Sequence, residues 1–466
     1  MTPLPRQTVM TALNAHEVRG LNGPDVTMVF TDTRRPTPGG LFVALCGDNF
    51  DGHDHLASAL EAGACGVVIS KPQSLPSNLD AETFVVVVND TREALSQLGH
   101  MVRRAHSGRF AAVTGSVGKT TVKDMLRAAL QDNGEVTASP GNWNNEIGVP
   151  LSLFSTSGDE SFVVLELGMS AAGEIAALTQ IAEPSVGLIT AAAAAHLEFF
   201  ESVDAIADAK AELWEHLPAS GRAVACADDA RVLERAKRLR PDGLVTYGQH
   251  HEADFRVLSV TQSAEGISTT IAHPHGEVVV SLAGLGRHNA VNAAGALAAA
   301  SLLEVAPEQA AQSLSAHFRP AAHRLVVHET QSKAFVLDDC YNANPMSTKA
   351  ALDTLSAVGN TACGLGAVIG SMLELGEQAD ALHREVGRHA AALGLVWLAA
   401  TGPHADALAE GGREGGIETV HVADDAMELE EAVKTFTTDG RWLLLKGSRG
   451  GRLERLLSPL GIGEVC

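Results

Sequence analysis

The residues best equipped for chemistry are Thr114, Gly115, Ser116, Val117, Gly118, Lys119, Thr120 and Thr121, which stand together as TGSVGKTT. The apolar run 110–113 before them predicts a buried strand. Behind them, Val122, Met125, Leu126, Ala129 and Leu130 recur at the spacing of one helix face. A glycine-rich turn between a strand and a helix N-terminus aims several backbone N–H groups and the positive end of the helix dipole at one point. Lys119 adds a mobile cation for terminal phosphates, and the Thr120 hydroxyl suits Mg²⁺. Together these features predict a nucleoside triphosphate cradle. The loop is a shortened variant, because the general pattern has glycine where this chain has Val113. The motif implies binding of ATP or GTP and names no reaction.

Three further residues carry charge to predicted strand ends, where open α/β sheets place their ligands. Glu166 lies near the end of the apolar run 162–167, and a carboxylate there is costly unless it is paired or holds a cation. His196 follows the strand predicted at 186–190, and Lys210 sits on a helix predicted over 203–217. Taken singly, His196 reads equally as an interior histidine and Lys210 as a surface lysine. The loop 139–154, with Asn142, Asn144 and Asn145, delivers amides and backbone donors. The alanine-rich helix within 284–300 begins with His288, Asn289 and Asn292, and capping alone would account for Asn289. The cluster 48–55 reads as a polar loop at a strand end rather than a metal site, since it lacks zinc-type spacing.

The elements that must position these residues fall into three α/β modules. Residues 1–107 precede the phosphate loop, with strands predicted at 26–30, 41–45, 66–69 and 84–88 and helices at 57–64 and 91–105. Residues 108–319 alternate strand and helix, as a doubly wound sheet does. Residues 320–466 alternate again, with strands at 334–338, 366–370, 396–400 and 442–445 and a helix at 381–393. Three of those strands run into loops rich in Gly, Ser, Asn, Lys and Asp, which predicts a second ligand-facing surface. The basic run 231–240 reads as a solvated helix face.

Composition narrows the class. Of the 466 residues, 45% are hydrophobic and 19% charged, which is ordinary for a soluble enzyme. Aromatics are only 4%, so the cores must be built of Ala, Val and Leu. A formal net charge of −22 argues against nucleic acid or an anionic membrane as partner. Six scattered cysteines without a C-x-x-C pair fit a reducing compartment. The first residues have no apolar signal region and no apolar run reaches membrane-spanning length, so the expected location is the cytoplasm.

The blocks TGSVGKTT, GNWNNEIGVP, LELGMSAAGEI, AHLEFF, IADAKAE, GRHNAVNA, DDCYNANP, GSMLELG…LHREVG and LLKGSRGGRLE follow one another in an order that resembles the Mur ligases, from about Thr31 to Glu454. The resemblance implies a three-domain cytoplasmic enzyme, expected as a monomer, with a central phosphate-loop sheet and a Rossmann-like C-terminal domain. Its reaction would join D-alanyl-D-alanine to UDP-N-acetylmuramoyl-tripeptide at the cost of ATP, in peptidoglycan precursor synthesis. By that resemblance the N-terminal domain would hold the UDP sugar, with Thr31, Asp32, Thr33, Arg34, Asn49, Gly52 and His53 facing it. Lys119 and the backbone from Gly115 to Thr121 would hold phosphates. Thr120 and Glu166 would ligate one Mg²⁺, and His196 and a carbamylated Lys210, formed with CO₂, a second. Asn289 would face adenine, with Arg324 and Asp339 toward the γ-phosphate and ribose. Asn342, Asn344, Lys446 and Ser448 would lie near the acceptor dipeptide. The chain departs from the pattern in the alanines before His196, where many relatives carry Asn and Gly, in Phe199 and Glu201, where the usual residues are glycines, and in His323, where a Gly usually precedes the arginine. The competing readings are another ligase of the superfamily, such as folylpolyglutamate synthase, a phosphate-loop ATPase or kinase without ligation, and an inactive scaffold.

Overall fold

The computed structural model describes residues 1–47, 49–194, 198–359 and 362–463. Among them are three large α/β sheets. The first runs Glu17–Arg19, Phe84–Val87, Gly66–Ile69, Leu41–Val43, Val29–Phe30, parallel except for its antiparallel first strand. The second has nine strands in the order Gly276–Leu282, Gly266–His273, Phe255–Ser263, Leu244–Gly248, Arg222–Cys226, Val186–Ile189, Arg109–Thr114, Phe162–Glu166, Val136–Ala138. The third runs Val326–Glu329, Phe335–Asp339, Trp442–Lys446, Leu365–Gly370, Trp397–Thr401, Thr419–Ala423, with only the first strand antiparallel.

The middle strands of these sheets are apolar almost without interruption, as strands covered on both faces must be. Phe110, Ala112, Val113, Val163 and Val164 are fully buried, as are Leu443, Leu444 and Leu445. The expectation of strand and helix in alternation over 108–319 fails beyond Gly248. There Phe255–Ser263, Gly266–His273 and Gly276–Leu282 form an antiparallel meander. Its cause is a two-residue period: in Gly266–His273 every second residue (Ile267, Thr269, Ile271, His273) is buried and the others are half-exposed. The central sheet therefore has a parallel core and an antiparallel edge. The short strand Val136–Ala138 adds the opposite edge.

Packing divides the chain into two compact units. The first comprises 1–114, 133–187 and 212–222, the second 115–132, 188–211 and 223–466. In the second, small side chains substitute for aromatics. The helix His288–Leu302 buries Ala293, Ala294, Ala296, Ala298, Ala299 and Ala300 completely, and its backbone carries the ring of Tyr247 so closely that a Cβ on Gly295 would stand 2.9 Å from it. The basic helix Ala230–Leu239 is not simply solvated. Asp229 caps it, and its Arg235, 9% exposed, donates to Asp208 at 2.7 Å.

In the first unit a buried carboxylate ties several segments together. Glu160, 3% exposed, accepts hydrogen bonds from Ser157 N (2.8 Å), Gly158 N (3.0 Å), Thr137 Oγ1 (3.0 Å) and His106 Nε2 (3.0 Å). Gly108 N donates to His106 Nδ1, which fixes the proton on Nε2. Burial pushes the Glu160 carboxyl up, but these donors outweigh it and bring it from 4.5 down to about 2. A depressed carboxyl contributes stability that is fully present above its unfolded value and lost as pH falls through the folded one. Glu160→Ala should therefore cost roughly 3 kcal/mol at neutral pH, since it strands buried donors. Denaturant titrations across pH should show that difference shrinking between about 4.5 and 2.

Candidate functional site

The strand Arg109–Thr114 runs into a loop that only glycine can shape. Gly115 has φ of +147° and Gly118 +80°. A Cβ on Gly115 would overlap the Thr190 hydroxyl, and one on Gly118 would lie 3.1 Å from Asn292 Oδ1. The loop is wired to the segment after Val186–Ile189: Ser116 N donates to Ala191 O (2.7 Å), Ala193 N to Ser116 Oγ (3.0 Å) and Thr190 Oγ1 to Val117 O (2.5 Å). Gly118 then opens the helix Lys119–Leu130. Lys119 Nζ folds back onto Gly115 O at 2.8 Å. Thr114 is fully buried at the strand end, and Thr121 is half-buried in the first helical turn.

Thr120, 8% exposed, accepts a hydrogen bond from Arg324 Nη2 at 3.0 Å. The Arg324 guanidinium lies 4.2 Å from the ring centre of Tyr341. On either side of Tyr341, Asp339 Oδ2 and Asn342 O accept from Lys446 Nζ at 2.6 and 2.7 Å. Burial raises the Asp339 carboxyl, with Lys446 and Arg324 pulling it down. Ser448, 4% exposed, donates to Ser371 O. Asn344 caps the helix Pro345–Val358 in a reciprocal pair with Ser347, and Asn342 is exposed. Asn289 spends its amide locally, donating to Leu285 O (2.6 Å) and accepting from Asn292 Nδ2 (2.9 Å).

Lys210 lies on the helix Val203–Glu215 and is only 2% exposed. Burial first, and the charge of Lys119 second, hold its amine well below the ordinary lysine range. It is a buried amine rather than a surface cation. His196 lies outside the described residues.

In the first unit, Glu166 ends the strand Phe162–Glu166 and is 1% exposed. Its Oε1 accepts from Asn144 Nδ2 (2.8 Å), and its backbone N–H donates to Ser139 Oγ (3.1 Å). Its Oε2 is buried with no hydrogen-bond partner among the described residues. A buried carboxylate oxygen without a donor is expensive, and it is the ligand a hard divalent cation takes. Asn142 is exposed, while Asn145 caps the helix Gly148–Phe154 through Gly148 N (2.8 Å).

Of the N-terminal residues, Thr31 and Thr33 are half-buried and Asn49 is exposed. Asp32 pairs with Arg34 at 2.8 Å, and hydrogen bonds from the Arg34 side chain and backbone bring its carboxyl down to about 2. A Cβ on Gly52 would come within 2.8 Å of the Leu45 backbone. His53 is buried, with Nδ1 on Asp51 (2.6 Å) and Nε2 accepting from Ser70 N (3.0 Å). Cys46, Asp51 and His53 cluster, but both ring nitrogens are engaged, so the histidine has none left for a metal. Sequence reasoning passed over Thr190 and Ser139 as supports of the phosphate loop and of Glu166. Their signal is weak, a small hydroxyl residue at the end of a strand.

A glycine-shaped phosphate loop on an α/β sheet, with a further α/β sheet sending Arg324 to its threonine, defines a nucleotide-dependent enzyme of α/β class. Three family models match in succession: Mur ligase family, catalytic domain, at residues 25–103; Mur ligase middle domain at 113–300; and Mur ligase, glutamate ligase domain, at 323–449. The UDP-N-acetylmuramoyl-tripeptide–D-alanyl-D-alanine ligase of Escherichia coli is 34% identical over 96% of both chains. A crystal structure of MurF from Acinetobacter baumannii superposes with a TM-score of 0.89 at 29% identity over 99% of both chains. MurF ligase from Thermotoga maritima, in complex with ADP, gives 0.82 at 27% identity over 93% of this chain and 96% of that one. The chain belongs to the Mur ligase family, and its α/β, three-domain architecture is that family's.

Gly115→Ala should fold, by far-UV circular dichroism, yet bind ADP at least 100-fold more weakly by calorimetry, because the added methyl group displaces Thr190 and with it the loop. Nucleotide binding within threefold of the parent would contradict the geometry described.

Proposed function

We propose that the chain is the ATP-dependent amide ligase that joins D-alanyl-D-alanine to the tripeptide carboxylate of UDP-N-acetylmuramoyl-tripeptide in peptidoglycan precursor synthesis. The observation that carries this reading is end-to-end similarity to ligases of that activity, with the phosphate loop intact. A carboxylate is a poor acyl donor. Transfer of the γ-phosphoryl group from ATP converts it to an acyl phosphate and releases ADP. The dipeptide amine then forms the C–N bond, the C–O bond to phosphate breaks, and the amine gives up a proton.

In this reading the N–H groups from Gly115 to Thr121 and the Lys119 ammonium orient the phosphates. Asn289, Arg324 and Asp339 serve the nucleotide, and Asn342, Asn344, Lys446 and Ser448 the acceptor side. Thr31, Asp32, Thr33, Arg34, Asn49, Gly52, His53 and the asparagines of 142–145 serve the UDP substrate. Thr120 and the unpartnered Glu166 oxygen would hold one Mg²⁺, and His196 with Lys210 a second. Bound Mg²⁺ supplies neutralisation of charge on the transferring phosphoryl oxygens. A buried amine whose charged form is disfavoured suits carbamylation: the Lys210 nitrogen adds to CO₂, a proton leaves, and the amine becomes an anionic oxygen ligand. We take module boundaries near 107 and 319, a monomer, and a cytoplasmic location. No helix among the described residues is long and apolar enough to cross a membrane.

Phosphate release from ATP should require both UDP-N-acetylmuramoyl-tripeptide and D-alanyl-D-alanine, and a panel of other acceptors, folate substrates included, should not substitute. Release that ignores the dipeptide would overturn the assignment. Lys210→Ala should lower turnover at least 100-fold, short carboxylates should restore part of it, and ¹³C-bicarbonate should give the parent enzyme alone a carbamate resonance.

A further inference from the structure

Arg324 stands between two residues in the left-handed region of backbone space. His323 has φ of +60° and Leu325 +54°. Such conformations in side-chain-bearing residues persist only where the surroundings enforce them, and they gather at functional sites. Leu325 is enforced by apolar packing: it is 7% exposed and belongs to the cluster that includes Leu285, Leu337 and Leu352. His323 is enforced by a charge. Its Nδ1 donates to Asp338 Oδ2 at 2.8 Å, and its carbonyl accepts from Tyr341 N at 3.2 Å.

Asp338 is a firm anchor. It is fully buried on the strand Phe335–Asp339, flanked by Val326–Glu329 and Trp442–Lys446. Its Oδ1 accepts from Cys340 N at 3.3 Å, and His328 Nε2 stands 3.4 Å from the oxygen that His323 grips. Burial pushes its carboxyl up, but His328 and His323 outweigh that and keep it below the usual range. One strand end thus grips the turn from two sides. Asp338 holds the His323 ring, and Tyr341 holds the His323 carbonyl while its own ring carries the Arg324 guanidinium.

We propose that His323 is a positioning residue for the ligase reaction: its hydrogen bond to buried Asp338 locks the left-handed turn from which Arg324 reaches the phosphate loop at Thr120. The proposal rests on the ligase reading above. It differs from a requirement for turn shape alone, which glycine would meet as well as histidine.

The test compares the parent enzyme with His323→Gly and His323→Asn. Glycine accepts the backbone conformation and lacks the anchor, whereas asparagine tolerates the left-handed region and places an amide nitrogen where the imidazole Nδ1 stands. His323→Gly should melt within a few degrees of the parent, raise KM for ATP and Kd for ADP at least tenfold, and lower kcat. Its KM for D-alanyl-D-alanine should stay unchanged. His323→Asn should return KM for ATP to within about threefold of the parent. Parent-like ATP kinetics in His323→Gly, equal losses for all substrates, or no rescue by asparagine would each overturn the proposal. A parent enzyme that fails to release phosphate with both substrates would instead sink the ligase reading, and ADP binding by the three proteins would still decide the role of His323.

Discussion

The constraint on which the rest of the structure depends is the placing of ionisable groups out of water, four of them at strand ends and one, Lys210, on a helix. Glu166, Lys210, Asp338, Asp339 and Lys446 are all less than a tenth exposed, in a protein whose cores are alanine, valine and leucine. Each such group costs several kcal/mol unless something compensates it. The fold compensates them in different ways. Asp339 and Lys446 pair with each other, Asp338 accepts from His323 and a backbone N–H, and burial holds the Lys210 amine well below the ordinary lysine range. Glu166 is satisfied at one oxygen only, and its other oxygen is the clearest request for a ligand in the first unit.

Rigid neighbours make this tolerable. The phosphate loop has little side-chain mass of its own, so its shape is imposed from outside, by Thr190, Ala191 and Ala193 through backbone-directed hydrogen bonds. The helix that follows packs against the alanine-rich His288–Leu302, where the absence of bulky side chains lets the helices approach closely. Scarcity of aromatics is thus compatible with a well-determined site, because small residues allow backbone to support backbone. Asn292, on that same helix, comes up against Gly118 at the start of Lys119–Leu130 and leaves no room there for a side chain.

Much of this is legible in the sequence, for physical reasons. The run 110–113, the glycines and the helical period behind Lys119 give strand, turn and helix with the right residues at the junction, because each signal is local. The antiparallel meander beyond Gly248 is not legible to a reader expecting strand–helix alternation, since its period-two pattern is carried by Thr269 and His273 as much as by Ile267 and Ile271. The roles of Asn144, Asn145, Asn289 and Asn344 were equally hidden. Asparagine in a loop looks alike whether it caps a helix, as Asn145 and Asn344 do, or orients a carboxylate, as Asn144 does. Lys210 is the sharpest case. Composition favours a surface lysine, and only the structure shows the amine buried and pushed below the ordinary lysine range.

Lys119 and Lys210 stand in contrasting surroundings. Lys119 is half-buried at a helix start, with Nζ on Gly115 O. Lys210 is sealed, and the nearby charge of Lys119 adds to its burial in disfavouring a second ammonium.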